Sequence, residues 1–309
     1  MTIELIHGDC IEEMQKLIDE GVKVDMILTD PPYGNINGLA IDGWKNQTTE
    51  WDNVLPTEDM FDCCERLLRM NGTCILFSQE PYTSYLRQYK PQNLPFTYPL
   101  YWIKDHFANS LMCKKAPVSY VEDLSVFRKK HDTDDHHPLR EYAQKLLSEM
   151  EMTCKDIGRK LGHRKAEHFF YKTGSSQFAL CTKESYNELI EVFNIDRLPC
   201  FKPYEELEVI NSKFKPKFNL YGKKYKSNIL QYKKSYNHYH PTEKPVELLE
   251  DLILTYTDTN DLVLDFTMGS GSTGVACLQT NRNFIGIELE KEYYDIAKQR
   301  CNSCQSKLI

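Results

Sequence analysis

Val24-Asp25-Met26-Ile27-Leu28-Thr29 runs straight into Asp30-Pro31-Pro32-Tyr33. The first six residues are nearly all apolar, as expected of a strand buried on both faces of a parallel sheet. The next four end it. Two prolines fix the backbone and remove two N–H donors. An acid, free carbonyls and an aromatic ring therefore sit just past the carboxyl end of a strand. That is the edge at which open α/β sheets bind ligands.

Upstream, Leu5-Ile6 reads as a short strand edge and His7-Gly8-Asp9-Cys10 as a turn. Ile11 to Glu20 has helical spacing, with Met14, Leu17 and Ile18 on one face and Gly21 as its stop. With the strand at 24–29 this makes a βαβ unit. Downstream, residues 34–56 are rich in Gly, Asn and Asp and predict a mobile loop. A helix is predicted over 57–70, stopped by Asn71-Gly72, then a strand at 73–78, a helix at 80–89 and a strand at 98–103.

The pattern changes after Phe127. Lys129 to His137 is charged and polar, and its histidines match no metal-ligand spacing. Leu139 to Met150 reads as a helix. Thr153 to Gly162 reads as a capped helix with a glycine stop, and a second helix follows at 165–171. Two short helices about a glycine turn suit either a helix-turn-helix or an ordinary helical hairpin. The strand–helix alternation resumes with an amphipathic helix over 246–256 behind Pro245. A strand at 262–264, a glycine-rich turn and a helix through Leu278 come next, then a strand at 283–287 and a helix at 292–300. The expected organisation is a first part of the core at 1–127, an inserted helical subdomain at 128–204, and a second part of the core at 205–309.

The 309 residues are 41% hydrophobic, enough for a sizeable core. No apolar run is long enough to cross a membrane, and Met1-Thr2-Ile3-Glu4 opens no signal peptide. Eleven cysteines in such a chain read as reduced thiols of the cytoplasm. Cys301 and Cys304 form a single CxxC with no second pair, so no zinc site is expected.

Net charge is −7, which by itself argues against a nucleic-acid partner. Its distribution argues otherwise. Val209 to His240 contains no acidic residue, and Lys213, Lys215, Lys217, Lys223, Lys224, Lys226, Lys233 and Lys234 alternate there with Phe and Tyr. Such a stripe fits a phosphate backbone, or else a solvated lysine-rich loop.

Asp30 and the Pro31 carbonyl offer two acceptors, and Tyr33 a flat face. The exocyclic NH2 of a flipped nucleobase needs that set. A second constellation lies near the other end of the chain. Asp265 ends a strand, Gly269 and Gly271 lie in the turn after it, and Glu288 ends the next strand. Glycines admit close approach of a ligand, and an acid about 20 residues on can take both ribose hydroxyls. Asp265 can accept from a cationic amine. Ribose, adenine and a zwitterionic amino acid together describe S-adenosylmethionine (SAM).

Asp30-Pro31-Pro32-Tyr33, then a variable region, then His240-Pro241-Thr242-Glu243-Lys244-Pro245, then the glycine turn: this order resembles the permuted β class of SAM-dependent DNA amino-methyltransferases. The resemblance covers residues 3–127 and 205–300. It implies a Rossmann-like α/β methyltransferase fold, a mostly parallel sheet with one antiparallel strand, carrying a small helical insertion. It implies Asp9 and Cys10 beside the cofactor adenine, and His240, Thr242 and Lys244 near its methionine end. Trp102, Lys104 and Glu122 also fit the family pattern, with no role assigned. Asp265-Phe266-Thr267 departs from the Asp-Pro-Phe of many relatives. The implied reaction is methyl transfer from SAM, without metal, to N6 of a flipped adenine in double-stranded DNA. N4 of cytosine is the alternative, and a non-enzymatic DNA-binding regulator a more distant one. The resemblance leaves room for a homodimer and for a cognate restriction endonuclease.

Overall fold

Three strands that the apolar runs mark out lie side by side in one sheet. The computed structural model describes residues 1–34, 53–108, 113–131, 137–171, 178–235, 239 and 243–308. Most of the loop expected over 34–56, and the site candidates His240 and Thr242, lie outside the described residues. The elements run β1 (Ile3–His7), α1 (Cys10–Asp19), β2 (Val24–Thr29), α2 (Thr57–Leu67), β3 (Leu68–Ser78), α3 (Tyr82–Gln88), β4 (Phe96–Ala108) and β5 (Ser119–Arg128). There follow α4 (Pro138–Glu149), α5 (Cys154–Leu161), α6 (Lys183–Phe193), α7 (Tyr204–Ser212) and β6 (Ile229–Gln231). The chain closes with α8 (Val246–Tyr256), β7 (Leu262–Asp265), α9 (Ser272–Gln279), β8 (Asn283–Glu288) and α10 (Lys291–Leu308).

Eight strands form the sheet in the order β1-β8-β7-β2-β3-β5-β4-β6. Every neighbouring pair is parallel except β3–β5 and β4–β5. β5 alone therefore runs against the rest, which is the single antiparallel strand that the resemblance implies.

The central strands are largely apolar because both faces are covered. On one face Ile27, Cys74, Leu76 and Phe127 pack with Met14 and Leu17 of α1 and with Met60, Phe61 and Leu67 of α2. On the other, Met26, Leu28, Ile75, Phe77 and Val126 pack with Leu248, Leu252 and Ile253 of α8, Ala276 of α9 and Ala297 of α10. Alternate side chains of β2 and β3 thus serve alternate cores, as a strand's two-residue period requires.

Two compact units result: residues 1–68, 72–129 and 217–309 hold the sheet, and residues 69–71 with 130–216 form a helical unit. The helical unit has its own core. Leu139, Tyr142 and Leu146 of α4 and Ile157 of α5 meet Phe169 and Phe170 there, together with Tyr186 and Leu189 of α6 and Leu207 of α7. Leu207 ties α7 to that core, so the unit runs past residue 204.

Two local expectations are corrected. The helix expected to reach residue 70 ends at Leu67, because Leu68 turns extended and pairs with Val24. The surplus up to Thr73 is absorbed in a register shift, with Asn71 at φ 62°. The helix expected at 165–171 is a 3₁₀ turn, Glu167–Phe170, whose Phe169 and Phe170 are buried. One turn cannot lie along a DNA groove as a recognition helix does. The preceding helix is as expected: Thr153 and Asp156 form a reciprocal capping box, and Gly162 ends it at φ 73°.

Candidate active site

The segment after β2 is pinned to its neighbour. Thr29 Oγ1 donates to Asp265 Oδ1 (2.8 Å) and lies 2.6 Å from Thr267 Oγ1. Thr267 Oγ1 in turn donates to the Asp30 carbonyl (3.1 Å). The Thr267 hydroxyl thus holds the start of the Asp30–Tyr33 segment against the glycine turn.

Four charged side chains meet at this point. Lys244 pairs with Asp30 Oδ2, and at 3.1 Å with Glu122 Oε1. Lys104 pairs with Glu122 Oε2. The Tyr33 hydroxyl donates to Asp30 Oδ1, and it lies 3.3 Å from Glu122 Oε1. The side chains of Lys244 and Lys104 are 9% and 4% exposed and Glu122 5%, whereas Asp30 keeps 22%. Phe77 and Trp102 rings lie beneath the two ammonium groups, at 5.1 and 4.9 Å.

Burial pushes the Asp30 carboxyl above the usual range, Lys244 pulls it back, and Glu122 adds to the rise. Glu122 feels the same burial, but Lys244 and Lys104 outweigh it and hold its carboxyl at about 2. Burial works against the Lys244 ammonium, yet Asp30 and Glu122 raise it above its ordinary value. Burial and the two carboxylates push the Tyr33 phenol well up, so it stays a donor. The cluster therefore separates two acids of nearly equal intrinsic strength.

The glycine turn closes the neighbouring crevice. β2, β7 and β8 are adjacent, so Asp30 and Glu288 end strands about 10 Å apart at ordinary strand spacing. Glu288 Oε2 accepts from the Gly269 N–H (2.8 Å) and its Oε1 from the Glu290 N–H (2.8 Å). Burial raises its carboxyl to about 7. Asp265 accepts from Thr29 Oγ1, from the Thr267 N–H (3.2 Å) and from Thr273 Oγ1 (2.6 Å). Burial raises it to about 6. Three of its roughly four acceptor positions are taken, so it orders the turn first and has one left for a ligand.

Asp9 caps α1, its Oδ1 accepting from the Ile11 and Glu12 N–H groups. β1 lies beside β8 with His7 opposite Glu288, which brings Asp9 and Cys10 to the Glu288 end of the crevice. Burial pushes the Cys10 thiol to about 12, so it is a neutral apolar wall. Gly269 and Gly271 have φ of 52° and 80°. A Cβ on Gly271 would meet Ala297 Cα at 2.9 Å, so this glycine admits α10 rather than a ligand.

Sequence reasoning missed how Lys244 is held. Glu243 Oε1 accepts from Arg300 Nη2 (2.8 Å) and from Ser272 Oγ (3.2 Å), locking the residue before Lys244 onto α9 and α10. It assigned no work to Glu122 and Lys104. The available signal was the charged residues placed among apolar ones in β4 and β5, since such charges are buried only in pairs.

The residues fit SAM. Two buried carboxyls raised by desolvation suit a ligand that brings a cation and hydroxyl donors. Glu288 would take the ribose, Asp9 and Cys10 the adenine side, and the turn after Asp265 the methionine side. When bound, SAM supplies an electrophilic methyl group.

A parallel sheet with one reversed strand, a glycine turn after β7 and an acid after β8 define a SAM-dependent methyltransferase. The family model of the N6/N4 DNA methylases matches residues 24–299, and the chain belongs to that family. It is similar to the type II methyltransferase M2.MboI of Moraxella bovis, with 49% identity over 311 residues, 97% of this chain and 87% of that protein. It is 26% identical to the DNA adenine methyltransferase YhdJ of Escherichia coli K12, over 96% of this chain and 81% of the relative. The crystal structure of an M1.HpyAVI–SAM complex shares the fold, with a TM-score of 0.56 at 23% identity and coverage of 97% and 100%.

Proposed function

We propose that this DNA methyltransferase acts on N6 of an adenine extruded from double-stranded DNA, and that Asp30, Pro31, Pro32 and Tyr33 form the target-base site. The observation that carries this reading is the convergence of two segments remote in sequence. Thr29 and Thr267 bind the Asp30 segment to the turn that begins at Asp265.

In the proposed mechanism Tyr33 stacks on the flipped base. Asp30 Oδ and the Pro31 carbonyl accept its two amino hydrogens. Each Asp30 oxygen has one charged or phenolic donor, Lys244 or Tyr33, and so keeps acceptor capacity for the base. Those bonds aim the nitrogen lone pair along the line of methyl transfer. Alignment of this kind supplies about 7–11 kcal/mol of a barrier. The Asp30 carboxylate also faces the positive charge that grows on nitrogen, and takes the released proton at Oδ.

Support for adenine comes from an aspartate at the first motif position and from the name of the relative YhdJ. The type II relatives support a place beside a restriction endonuclease of the same specificity. A bacterial cytoplasm and a homodimer complete the reading. Among the described residues no helix is long and apolar enough to cross a membrane. Mass spectrometry of DNA digested after incubation with SAM tests the substrate. N6-methyladenine supports the proposal; N4-methylcytosine, or unmodified DNA, overturns it. Asp30→Ala is expected to abolish transfer while calorimetry still registers SAM.

A further inference from the structure

We infer that Glu122 is a positioning residue for methyl transfer: it gathers Lys104 and Lys244 so that the Lys244 ammonium is held on Asp30. This rests on the reading of Asp30 as the residue that contacts the target amine.

The geometry divides the labour between the two acids. Glu122 lies on β5, the one reversed strand, where Trp102 of β4 is its register partner. Each of its oxygens meets a different lysine, Oε2 that of Lys104 and Oε1 that of Lys244. Its side chain is 5% exposed, whereas that of Asp30 retains 22%. Without Glu122 the two ammonium groups would repel one another in a buried site, and Lys244 would lose one of the two carboxylates it pairs with. A displacement of about 1 Å in such a support is enough to cost on the order of a hundredfold in rate.

The chemistry needs this asymmetry. As the N–C bond forms, the C–S pair leaves with sulfur, and the amine nitrogen gives one proton to Asp30 Oδ before it passes to solvent. An acid that already carries a proton cannot receive it. The two lysines on Glu122 make it too weak a base to compete for that proton, and Asp30 is left as the acceptor. Among the described residues, the charged and titratable groups that act on Asp30 are Lys244 ahead of α8, Glu122 of β5, Tyr33 and, from β7, Asp265. Lys104 of β4 acts through Glu122, and Lys234 after β6 interacts with Lys104, Glu122 and Lys244.

Two variants move the pH profile in opposite directions if this is right. Glu122→Gln removes a negative charge next to Asp30, so the acid limb of kcat shifts to lower pH. Lys104→Gln removes a positive charge and shifts it to higher pH. In both, kcat falls by about tenfold or more while KM for SAM stays within about twofold, and Glu122→Asp regains part of the loss. The inference is overturned if Glu122→Gln keeps kcat and the profile of the parent, or if both variants shift the limb the same way. Should Glu122→Gln fail to fold, Lys104→Gln alone decides by the direction of its shift. Asp30→Asn is run beside them. If it keeps turnover, the reading of the site fails; if it is inactive while Glu122→Gln is normal, only this inference fails.

Discussion

Asp265 and Glu288 are carboxylic acids that burial makes weak, at about 6 and 7. In the unfolded chain both ionise at lower pH. Folding therefore grows less favourable as pH rises above their unfolded values, and the cost is complete only above the folded ones. A bound cation with hydroxyl donors reverses the effect, because it prefers the ionised carboxylates. SAM affinity is thus expected to rise across the range from about 5.5 to about 8 that brackets the two folded values, and isothermal titration measures it. Glu288→Gln should flatten the upper part of the rise and weaken binding about tenfold, as loss of a charged acceptor to a hydroxyl does. An affinity that is level with pH in the parent protein would remove Glu288 and Asp265 from the cofactor site. Glu122 behaves in the opposite sense. Its carboxyl is held at about 2, so the stability it contributes is present above its unfolded value and is lost only in strong acid.

At the scale of an element, the turn into α9 is packed closely against α10. Gly271 is left-handed at φ 80° and a Cβ there would meet Ala297 of α10 at 2.9 Å. Gly162, which ends α5, is left-handed at φ 73° but faces open space. Gly162→Ala should therefore cost only the left-handed strain, about 1–2 kcal/mol. Gly271→Ala should cost about 1–2 kcal/mol more, because α10 must also move, and calorimetric unfolding of the two variants compares them. Equal losses would show that α10 yields freely.

Elements announced by local pattern were legible: β2 by its largely apolar run, α5 by its capping box and glycine, and α9 by its turn. β5 was not. Glu122 and Asp123 interrupt it, and they become tolerable only through Lys104, Lys244 and Arg87, all remote in sequence. β6 has only three residues, Ile229–Gln231, and exists because β4 offers it an edge. The same limit applies to the site. Asp30, Asp265 and Glu288 stand at strand ends that sequence can place, whereas the Glu122 cluster is a product of sheet order.

Across the whole molecule, the lysines of the acid-free segment do two different jobs. Lys217 pairs with Asp261 and, at 3.2 Å, with Asp258, and its side chain is 9% exposed. Lys226 pairs with Asp251 at 2.6 Å and also donates to Thr255. These two cations anchor the segment to α8 and to the turn before β7, so the stripe is less available to phosphate than its composition suggests. Lys223 and Lys224 are exposed beside Tyr221 and Tyr225, which are 62% and 75% exposed. Large exposed aromatics next to unburied cations suit stacking and phosphate binding, so DNA attraction is expected at this tip. Replacing both Lys223 and Lys224 by Gln should weaken DNA binding and reduce the slope of log K against log salt by about 0.9 for each phosphate that is no longer neutralised. Lys226→Met should leave that slope unchanged and lower the melting temperature, since it strands Asp251 without its partner. Fluorescence anisotropy of labelled duplex over a salt series, with a thermal melt of each variant, separates the two classes. A changed slope in Lys226→Met, or an unchanged one in the double variant, would place the phosphate-binding groups elsewhere on the protein.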